Sequence, residues 1–476
     1  MDSTSGRFES NARAALATPT LQTALAKLAD GFPARRREAA DRLPEFEALR
    51  DAAQAIKEHV LDHLDVYLEK FEQRVVANGG EVHWCRDAEE ARRTILEICR
   101  GAGARTVTKS KTMIGEEIAI NDYLEHHGIR PVETDLGEYI IQLRREPPSH
   151  IIAPAIHLSL AQVAETFRKS HKELPEERTL NEPDALLAEA RAKLRPDFLA
   201  ADVGITGANM LIAETGSNVL VTNEGNADLT HTLPRVHIVI ASIEKIVPTL
   251  EDATTILRVL ARSATGQDIT VYTSFCSGPR RPGDLDGPDE YHVVLLDNGR
   301  ARLLESEFRD MLRCIRCGAC LNHCPVYRAV GGHAYGWVYS GPMGAVLIPG
   351  LIGTKEARHL PNASTLCGRC ESVCPMRIPL PRMLRAWRGH LHRERQSSLF
   401  SRLGLAIWAV VASRPGLYHG IAAPLARSLA NLAGSGRRFR WLPFLGGWTG
   451  ARDLPAPEGE TFMSLWADAE KNRNRS

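Results

Sequence analysis

The sequence predicts N-terminal helices, then an α/β domain with a mostly parallel or mixed sheet, then a mainly α-helical cysteine-rich module with a helical or irregular tail. Three observations predict this. Residues Ala52–Val75 place Ile56, Val60, Leu64, Tyr67 and Leu68 three and four apart with charges between them, the period of an amphipathic helix. From about residue 80 to 300, short apolar runs alternate with helical intervals, as in βα units. Seven of the ten cysteines fall between Cys314 and Cys374. The expected divisions are 1–80, 81–300, 301–395 and 396–476.

Within the α/β region the expected strands are Arg105–Thr108, Tyr139–Leu143, His150–Ala153, Val236–Ala241, Ile269–Ser274 and His292–Leu296. Met113–His127 and Ser159–Ser170 read as helices between them. Asp297-Asn298-Gly299-Arg300 is a turn that closes the region. In the cysteine-rich part, the 42 residues between Cys324 and Cys367 exceed what a compact hairpin needs. They read as helices and turns broken at Gly331-Gly332 and Gly341-Pro342. The tail is cationic: between Arg377 and Arg440 there are 12 arginines and one acidic residue, Glu394. Inside that stretch Leu399–Ala412 is apolar but short for a bilayer span. Trp408, Trp441, Trp448 and Trp466 lie in the same tail. Such a segment suits the surface of an anionic membrane or a partner; the alternative is a cationic face packed on the chain's own acidic surface.

Composition narrows the function. The 59 Lys and Arg against 58 Asp and Glu give a net charge of +1, which excludes a polybasic nucleic-acid binder and a disordered acidic chain. Hydrophobic residues at 43% suffice for a sizeable core. The opening residues MDSTSGRFESNARAAL lack a basic region followed by an apolar one, so no signal peptide is expected. A cytoplasmic protein follows as the expectation, with contact at the inner face of the membrane through the tail as its extension.

In a reducing compartment, clustered thiols point to metal ligation before disulfides. Cys85, Cys99 and Cys276 are scattered and lack ligand spacing. The first run is Cys314-x2-Cys317-x2-Cys320-x3-Cys324-Pro325. Four cysteines within eleven residues do not form the two separated pairs of a zinc site. They match the run that places three thiolates on one iron–sulfur cubane and sends the fourth to a second cluster. The second run, Cys367-x2-Cys370-x3-Cys374-Pro375, aligned on its Cys-Pro ending, puts Ser364 where a fourth cysteine would stand. Exchange between the runs predicts cluster one on Cys314, Cys317, Cys320 and Cys374, and cluster two on Cys324, Cys367 and Cys370. Cluster two is then a 3Fe–4S centre, or a 4Fe–4S centre completed by Ser364, another group or a partner chain. Arg313, Arg316 and Arg369 flank the ligands, where positive charge raises a cluster's potential; pairing with nearby carboxylates is the alternative. Two adjacent clusters without a catalytic cofactor motif indicate electron transfer.

Two further segments carry polar residues. Lys109 and Lys111 end a strand and precede a helix, a place where lysines meet an anion. Gly204–Asn226 includes Glu214-Thr215-Gly216-Ser217, which reads either as a polar pocket with Glu214 as a carboxylate of interest or as a tight turn. Neither segment is a nucleotide-binding fingerprint, and no residue is assigned a catalytic role.

Long motifs run along nearly the whole chain: Val82-His83-Trp84, TKSKTMIGEEI at 108–118, VETDLGEYIIQL at 132–143, PSHIIAPAIH at 148–157, GITGAN, AETGS, TNEGN, IEKIVPT at 243–249, RSATGQ at 262–267, GPR at 278–280 and DGPDEYHVVLLDNGR at 286–300. With both cysteine runs, they resemble the iron–sulfur B protein family of the bacterial L-lactate utilisation system. The resemblance implies a LUD domain, similar in fold to the phosphosugar-isomerase and CoA-transferase superfamily, joined to a ferredoxin module with two 4Fe–4S clusters. It implies a complex with a cysteine-rich A component and a LUD-containing C component that oxidises L-lactate to pyruvate without a nicotinamide. Two other roles for the LUD domain remain: a lactate or carboxylate site built on Lys109 and Lys111, or a scaffold that docks the partners.

Overall fold

Runs such as Val236–Ser242, buried at every position, cannot face water on either side and so form the centre of a parallel sheet. In the computed structural model, which describes residues 3–442, 449 and 452–473, that sheet has six strands. The chain's strands are β1 (Glu81–Cys85), β2 (Thr106–Lys109), β3 (Arg130–Glu133), β4 (Val203–Gly207), β5 (Met210–Ile212), β6 (Ser217–Thr222), β7 (Val236–Ser242), β8 (Ile246–Val247), β9 (Tyr272–Cys276) and β10 (Glu290–Leu296). The six-stranded order is β1-β10-β7-β4-β2-β3, and every pairing is parallel. Alternate side chains serve opposite faces. Ile238 and Ile240 pack with Ile95, Leu96 and Cys99 of helix Ala88–Gly101. Val239 and Ala241 pack with Leu64, Leu68, Phe71 and Val75 of helix Leu64–Ala77.

A second sheet, ordered β8-β5-β6-β9, is built on the β5–β6 antiparallel hairpin. Its Met210, Ile212, Val219 and Val247 belong to one apolar core that also takes Leu25, Leu28 and Phe46 from the N-terminal helices and Leu321, Tyr335 and Val346 from the cysteine-rich part. From Arg300 to Arg393 every regular element is an α- or 3₁₀-helix. Residues Met1–Glu394 accordingly form one compact unit.

Five expected elements differ. Met113–His127 breaks at Ala119 (φ +52°) into Met113–Glu117 and Ile120–His126, and the strand expected over Ile269–Ser274 runs from Tyr272 to Cys276. Tyr139–Leu143 lies within helix Leu136–Arg144, because Asp135 caps it by accepting the Glu138 N–H at 3.2 Å and its apolar residues pack against Ala164 and Phe167. His150–Ala153 is a turn: His150 Nδ1 accepts the N–H groups of Ile152 at 3.0 Å and Ala153 at 3.2 Å, replacing a sheet ladder. The helical stretch Ala52–Val75 breaks at His63 (φ −134°) into Phe46–Asp62 and Leu64–Ala77.

Residues Arg395–Ser476 form the second unit. It holds helices Leu399–Ala412 and Pro415–Ala433, a short ribbon of Arg438–Phe439 with Leu454–Pro455, and helix Phe462–Arg473. Neither of its first two helices buries a residue; Phe400 is 90% exposed and Leu399 77%. No helix among the described residues is long and apolar enough to cross a membrane. Trp448 lies outside the described residues.

Candidate metal centre

The two cysteine runs fold as copies of one another. Gly318 (φ +73°) and Gly368 (φ +81°) hold the left-handed turn after Cys317 and Cys367, a conformation that glycine adopts without strain. Arg316 (φ +58°) and Leu366 (φ +55°) match one residue earlier on each side of the repeat. One-turn helices Ala319–Asn322 and Arg369–Ser372 follow and carry Cys320 and Cys370. The copy extends to the substituted position. The Arg316 N–H donates to Cys314 Sγ at 3.4 Å, and the Leu366 N–H donates to Ser364 Oγ at 3.1 Å.

The runs cross at their ends. One cavity is lined by Cys314, Cys317, Cys320 and Cys374 together. Cys324 lies within electrostatic range of Cys367, and Cys370 of both and of Cys320 as well. Five of the seven are buried, Cys314 is half-buried and Cys367 is exposed. Four sulfurs on one zinc at about 2.3 Å would sit about 3.8 Å apart. Among the described residues no three cysteine sulfurs gather within 4.8 Å. The donor set is therefore all-sulfur and too widely spaced for a single ion, which fits a polynuclear cluster. Burial, then the neighbouring cysteines, pushes the Cys317 and Cys370 thiols up to about 12. Thiolates here need a compensating positive charge.

Part of that charge comes from helices sequence reasoning had set apart. Arg36 donates to the Val373 carbonyl at 2.9 Å, and Arg50 donates to the carbonyls of Ser372 at 3.0 Å and Cys374 at 2.6 Å. Lys57 is fully buried and donates to the carbonyls of Glu244 and Ile246; burial, opposed by Glu244, lowers it to about 7. Of the three arginines beside the ligands, Arg313 pairs with Glu58, while Arg369 is exposed. Arg316 meets Glu244 at 3.2 Å, but its Nε and Nη1 are buried without a hydrogen-bond partner.

A buried ion network joins the α/β layers to the cysteine-rich helices. The closing turn places Arg300 with no exposure, donating to Glu117 Oε1 at 2.8 Å and Oε2 at 2.7 Å and pairing with Glu244 at 3.0 Å. Tyr339 donates to Glu117 at 2.6 Å. Above the strand ends lies a polar cavity lined by Lys111, Asn209, Asn226, Lys245, Arg316 and Tyr339, among others. Arg316 and Ile151 line this cavity and the cysteine cavity alike.

Comparison with known proteins agrees with this division of the chain. Residues 68–296 match the LUD domain model, and residues 310–378 match the 4Fe-4S dicluster domain model. Lactate utilization protein B of Bacillus velezensis is 43% identical over 92% of each chain. The protein of the same name in Bacillus subtilis is 42% identical over 92% of this chain and 91% of its own. The chain belongs to the lactate utilization protein B family. An uncharacterized electron transport protein of Escherichia coli, YkgF, is 42% identical over 98% of both chains. A solved DUF162-family protein from Deinococcus radiodurans is similar at 16% identity and a TM-score of 0.28, covering 49% of this chain and 98% of its own.

In this family member the two lysines expected to act together are separated. Lys111 lines the polar cavity and donates to the Ile152 carbonyl. Lys109 is buried elsewhere, 3.0 Å from Glu116 and 2.7 Å from Glu133. Burial opposes its charge, but Glu133 and Glu116 outweigh it and hold the ammonium above its ordinary range. It has no place in an anion pocket. Glu214-Thr215-Gly216-Ser217 is the turn and strand start of the β5–β6 hairpin, remote from the cavity lining. Glu214 is exposed and accepts the Leu250 N–H at 3.1 Å, a helix-capping contact. The cavity instead uses the far ends of the same segment, Gly207–Asn209 and Leu220–Glu224. Arg300, Glu244 and Lys245 went unnoticed in the sequence, because isolated charges among apolar residues carry no spacing signal. Cys85, Cys99 and Cys276 lie in or beside the α/β sheets, apart from the seven.

Proposed function

We propose that this protein is the iron–sulfur electron-transfer component of a nicotinamide-independent complex that oxidises L-lactate to pyruvate. The observation that supports the proposal is the crossing of two copied cysteine runs, with Cys314, Cys317, Cys320 and Cys374 lining one cavity; we assign these four to one group and Cys324, Cys367 and Cys370 to a second. Those groups would hold two clusters, each supplying one-electron redox chemistry when bound. The first group would carry a 4Fe–4S cluster. The second has three thiolates, and Ser364, held in the position of Cys314 by the matching N–H contact, would be its fourth ligand. The helical cysteine-rich part acts as a ferredoxin module, and its exposed Cys367 marks the side open to a redox partner. The names of relatives support the pathway: three of those compared are called lactate utilization or electron transport proteins. A and C components would complete the complex, and the exposed apolar helices 399–433, flanked by the arginines of the 377–440 stretch, would hold the protein to the cytoplasmic face of an anionic membrane.

Anaerobic purification tests this. Seven to eight irons per chain with matching sulfide are expected from one four-iron cluster and one of three or four. Cys314→Ala and Cys374→Ala should erase the same EPR signal, and Cys367→Ala the other. One tightly bound zinc without sulfide, or a Cys374→Ala variant that loses the Cys367 signal, refutes the assignment.

A further inference from the structure

The polar cavity beside the cysteine cavity holds cationic N–H groups that lack an acceptor. Lys111, Lys245 and Arg316 line it with Asp135 and Glu224, and Arg316 is also paired, outside the lining, with Glu244 at 3.2 Å. Arg316 is buried, and its Nε and Nη1 have no acceptor. Lys245 is 8% exposed and makes no hydrogen bond or ion pair among the described residues. A buried N–H left unpaired is costly, more so when charged, so such donors ordinarily face a ligand. The walls also have an apolar side, Met113, Ile151, Leu260 and Ala264, suited to a small carbon skeleton.

We infer that this cavity binds a small monocarboxylate of the 2-hydroxy or 2-oxo class, its carboxylate held by Arg316 and Lys245. A carboxylate offers two acceptor oxygens, which suits the free Nε and Nη1 of Arg316 and the ammonium of Lys245. Because Arg316 belongs to both cavities, the ligand sits beside the Cys314 group and away from the Cys367 group. The inference deepens the proposed function and rests on it for the identity of the acid, L-lactate or pyruvate. It differs from a site on Lys109 and Lys111, since Lys109 is already neutralised by carboxylates.

The test uses the full chain, purified anaerobically, with pyruvate, L-lactate and inorganic phosphate titrated calorimetrically and by EPR. Pyruvate or L-lactate should bind at one site per chain and shift the signal erased by Cys314→Ala, leaving the other in place. Lys245→Met and Arg316→Lys should each weaken binding about tenfold or more. Lys70→Met, on an exposed helix face, should bind as the wild type does. The EPR signals of each free variant report whether it has folded. No saturable carboxylate binding, phosphate binding in preference, or affinities unchanged in both cavity variants overturns the inference. Wild-type protein that takes electrons from dithionite yet binds no carboxylate overturns this site while leaving the electron-transfer role standing. Protein without iron and sulfide removes that role as well.

Discussion

Arg300→Met should be among the most damaging single substitutions in the α/β domain. The side chain has no exposure, and its guanidinium donates to both oxygens of Glu117 and lies 3.0 Å from one oxygen of Glu244. A methionine fills much of the space but leaves two buried carboxylates short of a partner. Breaking a buried ion pair from one side costs about 3–5 kcal/mol. Unfolding entropy of about 2.1 cal/mol/K per residue near 60 °C, taken over the unit Met1–Glu394, gives about 0.8 kcal/mol per degree. The expected fall in Tm is therefore about 4–6 °C, read by circular dichroism under anaerobic conditions. Adding Glu117→Gln removes one orphaned charge and should recover part of the loss, because an intact pair and its apolar replacement are often close in energy. A fall below about 1 °C, or a double variant worse than additive, would show that the network is not the joint described above.

The same network sets an acid limit. Burial opposes the Glu244 charge, but Arg300 and Arg316 hold its carboxyl at about 2, below its ordinary value. A depressed carboxylate stabilises the fold fully above about pH 4.5 and loses that contribution as pH falls toward 2, so Glu244→Gln should flatten the acid side of a stability profile. At Ser364, an oxygen is a weaker iron ligand than a thiolate. Brief oxidation should turn the Cys324–Cys367–Cys370 cluster, and not the other, into a three-iron form by EPR, and Ser364→Cys should suppress the change; an identical response in Ser364→Cys discards the ligand role. Truncation after residue 395 should leave both EPR signals but abolish sedimentation with phosphatidylserine-containing vesicles, an association that in the full chain should weaken between 0.05 and 0.5 M salt, taken as about the range over which screening tightens. Retained vesicle binding without the tail removes that role.

Short runs dominated by Val, Ile and Leu were legible because a buried parallel strand accommodates them: Val236–Ala241 and His292–Leu296, each with one histidine, fall within β7 and β10. Strands β4 and β6 escaped because Gly, Ser, Thr and Asn break their apolar pattern, and β5 because three residues are too short to show a period; Gly207 and Thr222, at the ends of β4 and β6, line the cavity. Tyr139–Leu143 misled because Tyr and Ile favour strands, while the decisive signal was Asp135 three residues before Glu138. The cysteine spacing was legible as an iron–sulfur motif because a cubane demands local spacing, and the 4Fe-4S dicluster match covers both runs. Lys109 and Lys111 looked alike on one strand, yet side chains two apart along extended chain, or past its end, need not share surroundings. A single sequence distinguishes a lysine that meets substrate from one that meets Glu133 only when the carboxylate is local, and Glu133 is 24 residues away.

The N-terminal helices show why the chain does not divide into a LUD domain and a separable cluster module. Cys374 is the one member of the second run that lines the cavity of the first, so its backbone is the point where the runs cross. Helix Phe46–Asp62 grips that point from two sides. Arg50, 4% exposed, donates to the Cys374 carbonyl through Nε at 3.2 Å and Nη2 at 2.6 Å, while its Nη1 is anchored on both oxygens of Glu47 at 2.9 and 2.8 Å. Glu47 also accepts from Arg377, three residues past Cys374, at 2.9 Å. The Cys374 carbonyl has a local donor in the Arg377 N–H at 3.2 Å, and the arginines from the N-terminal helices fill the acceptor capacity that the tight turns leave over. Arg36 and Arg50 also bring positive charge to the same place. The residues that hold the crossover and those that balance its charge are thus the same, and they lie more than 300 positions away in sequence, on helices whose amphipathic pattern reveals a buried face but not what it covers.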